Sequence, residues 1–215
     1  ASLGRFDARS RAAAYDGSRL LEALLFITAF VITFSKIRIK VAGGNDFFIS
    51  DLTALLFVLA FLAHRISRRD WVVSRTVGIA SAFFVAFLIV YLVAFFNLGT
   101  EFDRNLFIKG ITKWGINFAL LLCAVAYLER RSPRVYWQTL AAFVVGFTAN
   151  AAWGICQLAL AESGTNLDEL ILGRLHLYEK GGINIFGVAG ESNIYRTTGL
   201  TFDPNHLGVM LVIPI

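Results

Sequence analysis

The chain has 215 residues, of which 57% are hydrophobic, only 16% are charged and 20 are Phe. Several apolar runs approach the roughly 20 residues needed to cross a bilayer, which excludes a soluble domain and predicts an all-α, polytopic transmembrane helix bundle. The formal net charge of +5 comes from arginines grouped between the apolar runs, which argues against nucleic acid as a partner.

Residues 1–19 form a polar segment with Arg5, Arg9, Arg11 and Arg19, expected on the cytoplasmic side. Residues 20–161 are expected to hold five transmembrane helices. The first covers about 20–35 and is closed by Lys36, Arg38 and Lys40, where a cleaved signal peptide would need small residues. Those three cations make an outer basic patch, read as anchoring to lipid headgroups or holding an anionic glycan. Residues 36–50 alternate and then turn at Gly43-Gly44-Asn45-Asp46, as a small hairpin or extended loop does. Further spans are expected over about 51–66, 71–96, 111–128 and 135–161. Cys123 and Cys156 fall inside spans at no metal-type spacing, so both are read as buried free thiols.

Charge in the loops sets the orientation. With the N-terminus inside, the inner segments carry eleven Lys and Arg and the outer segments nine. The tight basic turns His64-Arg65-Ile66-Ser67-Arg68-Arg69 and Glu129-Arg130-Arg131-Ser132-Pro133-Arg134 resemble inner loops, so residues 162–203 are expected outside. In that outer segment Thr165 and Asp168 imitate a capping box. Leu167, Leu170, Ile171, Leu175 and Tyr178 recur at helical spacing, as a short interfacial helix requires. Gly181-Gly182 ends it, and residues 183–186 and 193–196 then read as a small hairpin. Residues 204–215 begin a sixth span, and the apolar run to Ile215 covers about half a span. With Ala at position 1, this reads as part of a longer protein.

The densest polar chemistry lies at 195–208. Asp203 followed by Pro204 is a helix start, with Asp as N-cap and Pro in the first turn. Such a start leaves N–H groups unpaired, and these attract anions. Arg196, seven residues upstream, supplies a permanent fork-shaped charge suited to phosphate, or else one that snorkels to headgroups. Asn205 is either a second cap or a substrate contact. His206 is a possible base, with a structural hydrogen bond as the plainer reading. Lys109 and Lys113, at the outer start of the fourth span, are candidates to join this phosphate corner. Asn150, Trp153 and Gln157 share one face of the fifth span and read as interhelical contacts. No carboxylate pair marks a metal site, so neither metal nor cofactor is expected.

The pattern Arg196-x-x-Gly199-x-x-x-x-Pro204-Asn205-x-x-Gly208, after five spans and an outer loop, resembles the O-antigen ligase and Wzy-type O-antigen polymerase superfamily. The resemblance implies a bacterial inner-membrane enzyme that transfers a glycan from undecaprenyl pyrophosphate to an acceptor on the outer face. It implies that Arg196 contacts the lipid-linked pyrophosphate; Gly199, Asp203, Pro204, Asn205 and His206 are the candidate residues for further substrate contacts beside it. It further implies metal-independent, inverting transfer assisted by a His on a large outer loop beyond Ile215, so no residue here takes the catalytic role. Partners would be the polyprenyl-pyrophosphate-linked glycan, membrane lipids, and an acceptor glycolipid or other membrane subunits. Two other classes stay open. A non-catalytic membrane scaffold is one. A transporter is the other, disfavoured because the third and fifth spans carry no charge in their interiors.

Overall fold

The computed structural model describes residues 19–41, 45–69, 73–96, 98–175, 177, 185–186, 194–195, 197–201 and 207. It is mostly helical: α1 (Arg19–Val31), α2 (Ile49–Arg68), α3 (Arg75–Phe95), α4 (Glu101–Leu128) and α5 (Pro133–Ala161), followed by one π-helical turn at Glu169–Gly173. Four of these, α2 to α5, are long and apolar enough to cross a membrane. Among the described residues the expected first span is helical over 13 residues, α1, which is short of that length.

The chain divides into two compact units. The first comprises residues 1–25 and 54–138. Its core gathers Leu21, Leu25, Phe57, Phe61, Leu120, Cys123 and Tyr127, with the Tyr127 ring edge-on to Phe57 and Phe61 at 6.0 and 6.2 Å. Beside it, α3 and α4 pair through aromatic rings: Trp114 stacks on Phe84 at 4.7 Å and on Tyr91 at 5.5 Å, and Phe107 meets Phe95 at 5.4 Å. No residue of α3 is buried, and Phe83, Phe87, Ile89, Val90 and Val93 are exposed around its circumference. A helix apolar all round and uncovered by protein is suited to lipid, not water. The hydroxyls inside the long helices fit the same solvent, because Ser81, Thr112 and Thr148 each donate to the carbonyl one turn back, at 2.7, 2.8 and 2.9 Å.

Caps explain where the helices begin. Thr100 accepts the N–H of Asp103 at 3.1 Å, and Glu101 and Asp103 lie in the first turn, where the helix dipole favours acids. That cap starts α4 ten residues before the apolar run expected from 111, so Lys109 and Lys113 sit within the helix and not at its start. Ser74 caps α3 by accepting the N–H of Val77 at 3.1 Å.

The second unit comprises residues 26–53 and 139–215. The alternating segment after α1 forms a hairpin, β1 (Arg38–Val41) with β2 (Asn45–Phe48), paired antiparallel with Arg38 opposite Phe48. The Arg38 guanidinium lies over the Phe48 ring, 5.2 Å from its centroid. A second antiparallel pair, β3 (Ile185–Phe186) and β4 (Ile194–Tyr195), immediately precedes Arg196. The apolar core is Val31, Phe34, Leu172 and Leu200, with Phe30, Ile37, Ile49, Ala149 and Trp153 against it.

Two expectations about the 162–178 segment change. Asn166, not Thr165, starts the short helix, its side-chain oxygen accepting the N–H groups of Asp168 at 3.0 Å and Glu169 at 3.4 Å. The buried positions are Leu167, Asp168 and Leu172, while Leu170, Ile171 and Leu175 are exposed. The π turn causes the shift: the Leu177 N–H reaches the Leu172 carbonyl at 3.0 Å, and a wider turn aligns residues five apart where the α pattern would align three or four. Both cysteines are free, but only Cys123 is buried; Cys156 is exposed on α5.

Candidate functional site

A stripe of α5 builds the polar centre of the second unit. Gly146, Phe147, Asn150, Gly154 and Gln157 recur at helical spacing and are buried, with Trp153 half-buried beside them. Gly146 is there because α1 passes so close that any Cβ would overlap the Phe30 carbonyl. Polar side chains inside an apolar helix demand partners. Here the partners are Asp168, Lys36 and the backbone of residues 198–200.

Asp168 is fully buried and its carboxylate is saturated. Gln157 donates to both oxygens, at 2.8 and 2.9 Å, Trp153 Nε1 donates to Oδ1 at 3.0 Å, and Lys36 Nζ donates to Oδ2 as an ion pair. Lys36, only 2% exposed, also donates to the Thr198 hydroxyl at 2.6 Å. The outer basic patch expected from Lys36, Arg38 and Lys40 thus loses its first member to the interior. Burial pulls the Lys36 ammonium below its ordinary pKa of 10.5, while the hydrogen bond and charge of Asp168 pull it back up. The buried charges cancel, one cation against one anion, as burial requires.

The same side chains hold the main chain of 198–200. Gln157 Oε1 accepts the N–H of Gly199 at 2.8 Å and of Thr198 at 3.2 Å, and Asn150 Oδ1 accepts the N–H of Leu200 at 2.6 Å. Gln157 Nε2 donates to the Gly199 carbonyl at 3.2 Å, the Lys36 N–H to the Leu200 carbonyl at 2.9 Å, and the Thr201 N–H to the Thr198 carbonyl at 3.1 Å. The amide orientation of Gln157 follows from chemistry: a carboxylate needs a donor on one side and two N–H groups need an acceptor on the other. Gly199 adopts a left-handed φ of +58°, and a Cβ there would overlap the Asn150 side-chain oxygen. Leu207 is buried against the same glycine.

Of the residues expected at the phosphate corner, Arg196, Asp203, Pro204, Asn205 and His206 lie outside the described residues. Gly199 is described, and both its N–H and its carbonyl are engaged by Gln157. Its backbone is thus bonded to protein at a left-handed turn. Lys109 and Lys113 are exposed on α4, in the first unit. Among the described residues, no group of three His, Cys, Asp or Glu could hold a metal ion.

Sequence reasoning named Asn150, Trp153 and Gln157 as a face, but it missed Asp168 as their common partner and Lys36 as its counter-ion. The available signal was three polar groups on one stripe of an apolar helix, which need a charged or backbone partner to be buried. Comparison of the chain with family models, with curated proteins and with solved structures finds no match in any of the three.

Proposed function

We propose that the chain contributes the donor-binding part of a membrane glycan transferase acting on a polyprenyl-diphosphate-linked glycan, ligase-like or polymerase-like. In this reading it sits in the bacterial inner membrane with its N-terminus inside, and residues 162–203 lie on the outer face. Leu170, Ile171 and Leu175, exposed together on the short helix, then rest in the membrane interface.

The observation that carries the reading is the clamped segment 197–201. In sequence it is flanked by Arg196 on one side and by Asp203 and Pro204 on the other, and five hydrogen bonds between Lys36, Asn150 or Gln157 and the backbone of residues 198–200 fix it. A diphosphate leaving group gains negative charge as its glycosidic bond breaks. Fixed cations and N–H groups aimed at it therefore stabilise the transition state more than the ground state. On the sequence reading, Arg196 supplies the cation and the helix start expected from Asp203-Pro204 supplies the N–H groups. Asn205 and His206 are the further candidates for donor contacts, and no residue of this chain is assigned to activating the acceptor. The buried Lys36–Asp168 pair does not favour ion-coupled transport, since the two charges are bonded to each other and to Gln157, Trp153 and Thr198.

The test is binding of undecaprenyl diphosphate to the purified chain in nanodiscs. Arg196→Ala should weaken it about tenfold or more, the scale of a lost charge-assisted hydrogen bond, with thermal stability unchanged. Equal binding by wild type and variant would remove the assignment.

A further inference from the structure

One end of the first unit carries a cluster of arginines that the donor-binding reading leaves unused. α3 and α4 run antiparallel: Phe95 meets Phe107 at one end, and the Glu129 carboxylate accepts from the Ser74 and Thr76 hydroxyls at the other. That second end gathers Arg68 and Arg69 from the close of α2, Arg75 from the start of α3, and Arg130, Arg131 and Arg134 from the passage into α5. Its acids among the described residues are Glu22 and Glu129, and both are engaged within the protein. Glu22 lies 3.8 Å from the Arg131 guanidinium, and Glu129 takes the two hydroxyls. The opposite end of the α3–α4 pair is balanced, with Glu101 and Asp103 beside Arg104 and Lys109. The excess of positive charge therefore belongs to one end only.

Three of these arginines face outwards. Arg69, Arg75 and Arg134 are exposed, and among the described residues their guanidinium groups pair with no carboxylate. Arg69 has a φ of +50°, the left-handed conformation in which a helix ordinarily ends on glycine. An arginine there keeps a long cation where the backbone favours no side chain at all. Tyr136 and Trp137, in the first turn of α5, are exposed as well, with their rings 5.6 Å apart. Amphipathic rings beside long cations make up a membrane–water boundary, where the rings sit at headgroup depth and the cations reach phosphate. The neighbouring α3 buries no residue against protein, which suits a lipid surround at this end.

We infer that Arg69, Arg75 and Arg134 form a shelf that binds the headgroups of anionic glycerophospholipids, with Tyr136 and Trp137 setting its depth. The shelf lies wholly in the first unit and is independent of the donor-binding reading. Charge decides the occupant. A zwitterionic headgroup brings its own ammonium to the phosphate and gains little from further cations, whereas an anionic one gains about fivefold in affinity per arginine.

The test compares binding of short-chain phosphatidylglycerol and phosphatidylcholine to the full chain in neutral detergent micelles, with the thermal midpoint followed alongside. The wild type should prefer phosphatidylglycerol about tenfold or more, and salt at about 0.5 M should erode that preference. Arg75→Gln with Arg134→Gln should cut the preference about tenfold. Arg104→Gln with Lys109→Gln removes the same charge from the other end and should leave the preference within about twofold. Arg69→Gly should weaken phosphatidylglycerol binding about fivefold without lowering the midpoint, a split that a merely structural arginine would not give. Equal losses in the two double variants would mean that net charge and not a site holds the lipid, and the shelf would be overturned. Absence of any preference in the wild type, a result that needs no variant to fold, would overturn it as well. Glycerol 3-phosphate binding as tightly as the lipid would put a soluble phosphate in place of the headgroup and end the lipid assignment.

Discussion

Gln157 donates its amide to both carboxylate oxygens of Asp168 while its own oxygen receives the N–H of Gly199 at 2.8 Å. One neutral side chain thereby connects a buried anion to a glycine turn 42 residues further along the chain. Replacing it with Leu strands two backbone N–H groups and removes two bonds from the carboxylate. With each buried unsatisfied group costing about 1–3 kcal/mol, Gln157→Leu should destabilise the protein by roughly 3 kcal/mol or more. Thermal unfolding in detergent reads this, and a loss near zero would mean that water reaches the stripe.

The Lys36–Asp168 pair gives a double-mutant cycle. Removing either charge alone leaves the other buried and uncompensated, so Lys36→Met and Asp168→Asn should each destabilise by about 3–5 kcal/mol. The double variant contains neither charge of the pair and should lose much less than the sum of the two. Additive losses, measured by denaturant or thermal unfolding, would show that the two groups do not share one site.

Glycines on the long helices should behave oppositely according to what faces them. A Cβ at Gly146 would overlap the Phe30 carbonyl, a backbone atom that cannot rotate aside, so Gly146→Ala should destabilise by about 1–3 kcal/mol. Nothing lies within 4 Å of the Cβ position at Gly115, where Ala should instead stabilise by about 0.5–1 kcal/mol through helix propensity. Equal midpoints for the two variants would contradict the close approach of α1 to α5.

Acid should loosen the first unit through Glu129, the residue that ends α4. Its carboxyl is held below the ordinary 4.5 by the Ser74 hydroxyl, then by that of Thr76, at the start of α3. The unfolded chain therefore binds the proton more tightly than the folded one. The stabilisation is complete above about pH 4.5 and disappears as pH falls through the lowered folded value. Thermal midpoints from pH 7 to pH 3 should fall less steeply for Glu129→Gln than for wild type, and parallel curves would remove Glu129 from the acid response.

Apolar length alone made the membrane-spanning helices legible, because α3 and α5 are continuous runs bounded by polar turns. The start of α4 was not legible that way. Residues 101–110 are amphipathic and charged, and Thr100 with Asp103 had to be recognised as a cap before the helix could be extended backwards. The hairpin after α1 was visible in the alternation of 36–40 and its glycine turn, yet Lys36 itself reads on sequence as one more surface cation. Its burial depends on Asp168, and no local pattern links two residues so far apart. Asp168 was hidden for a second reason: it occupies the place where a capping carboxylate is usual, and the neighbouring Asn166 caps in its stead. The π turn likewise leaves no mark in a pattern read with a period of 3.6.

The ion pair joins residues 132 positions apart, and that separation has a bearing on biogenesis. At about 5–20 residues per second, the ribosome makes Asp168 on the order of ten seconds after Lys36. Until then the lysine lacks the carboxylate that accompanies it out of water, and the turn after α1 stays hydrated. Docking of that turn is thus a late event of synthesis, timed by a carboxylate that the sequence places after four further helices.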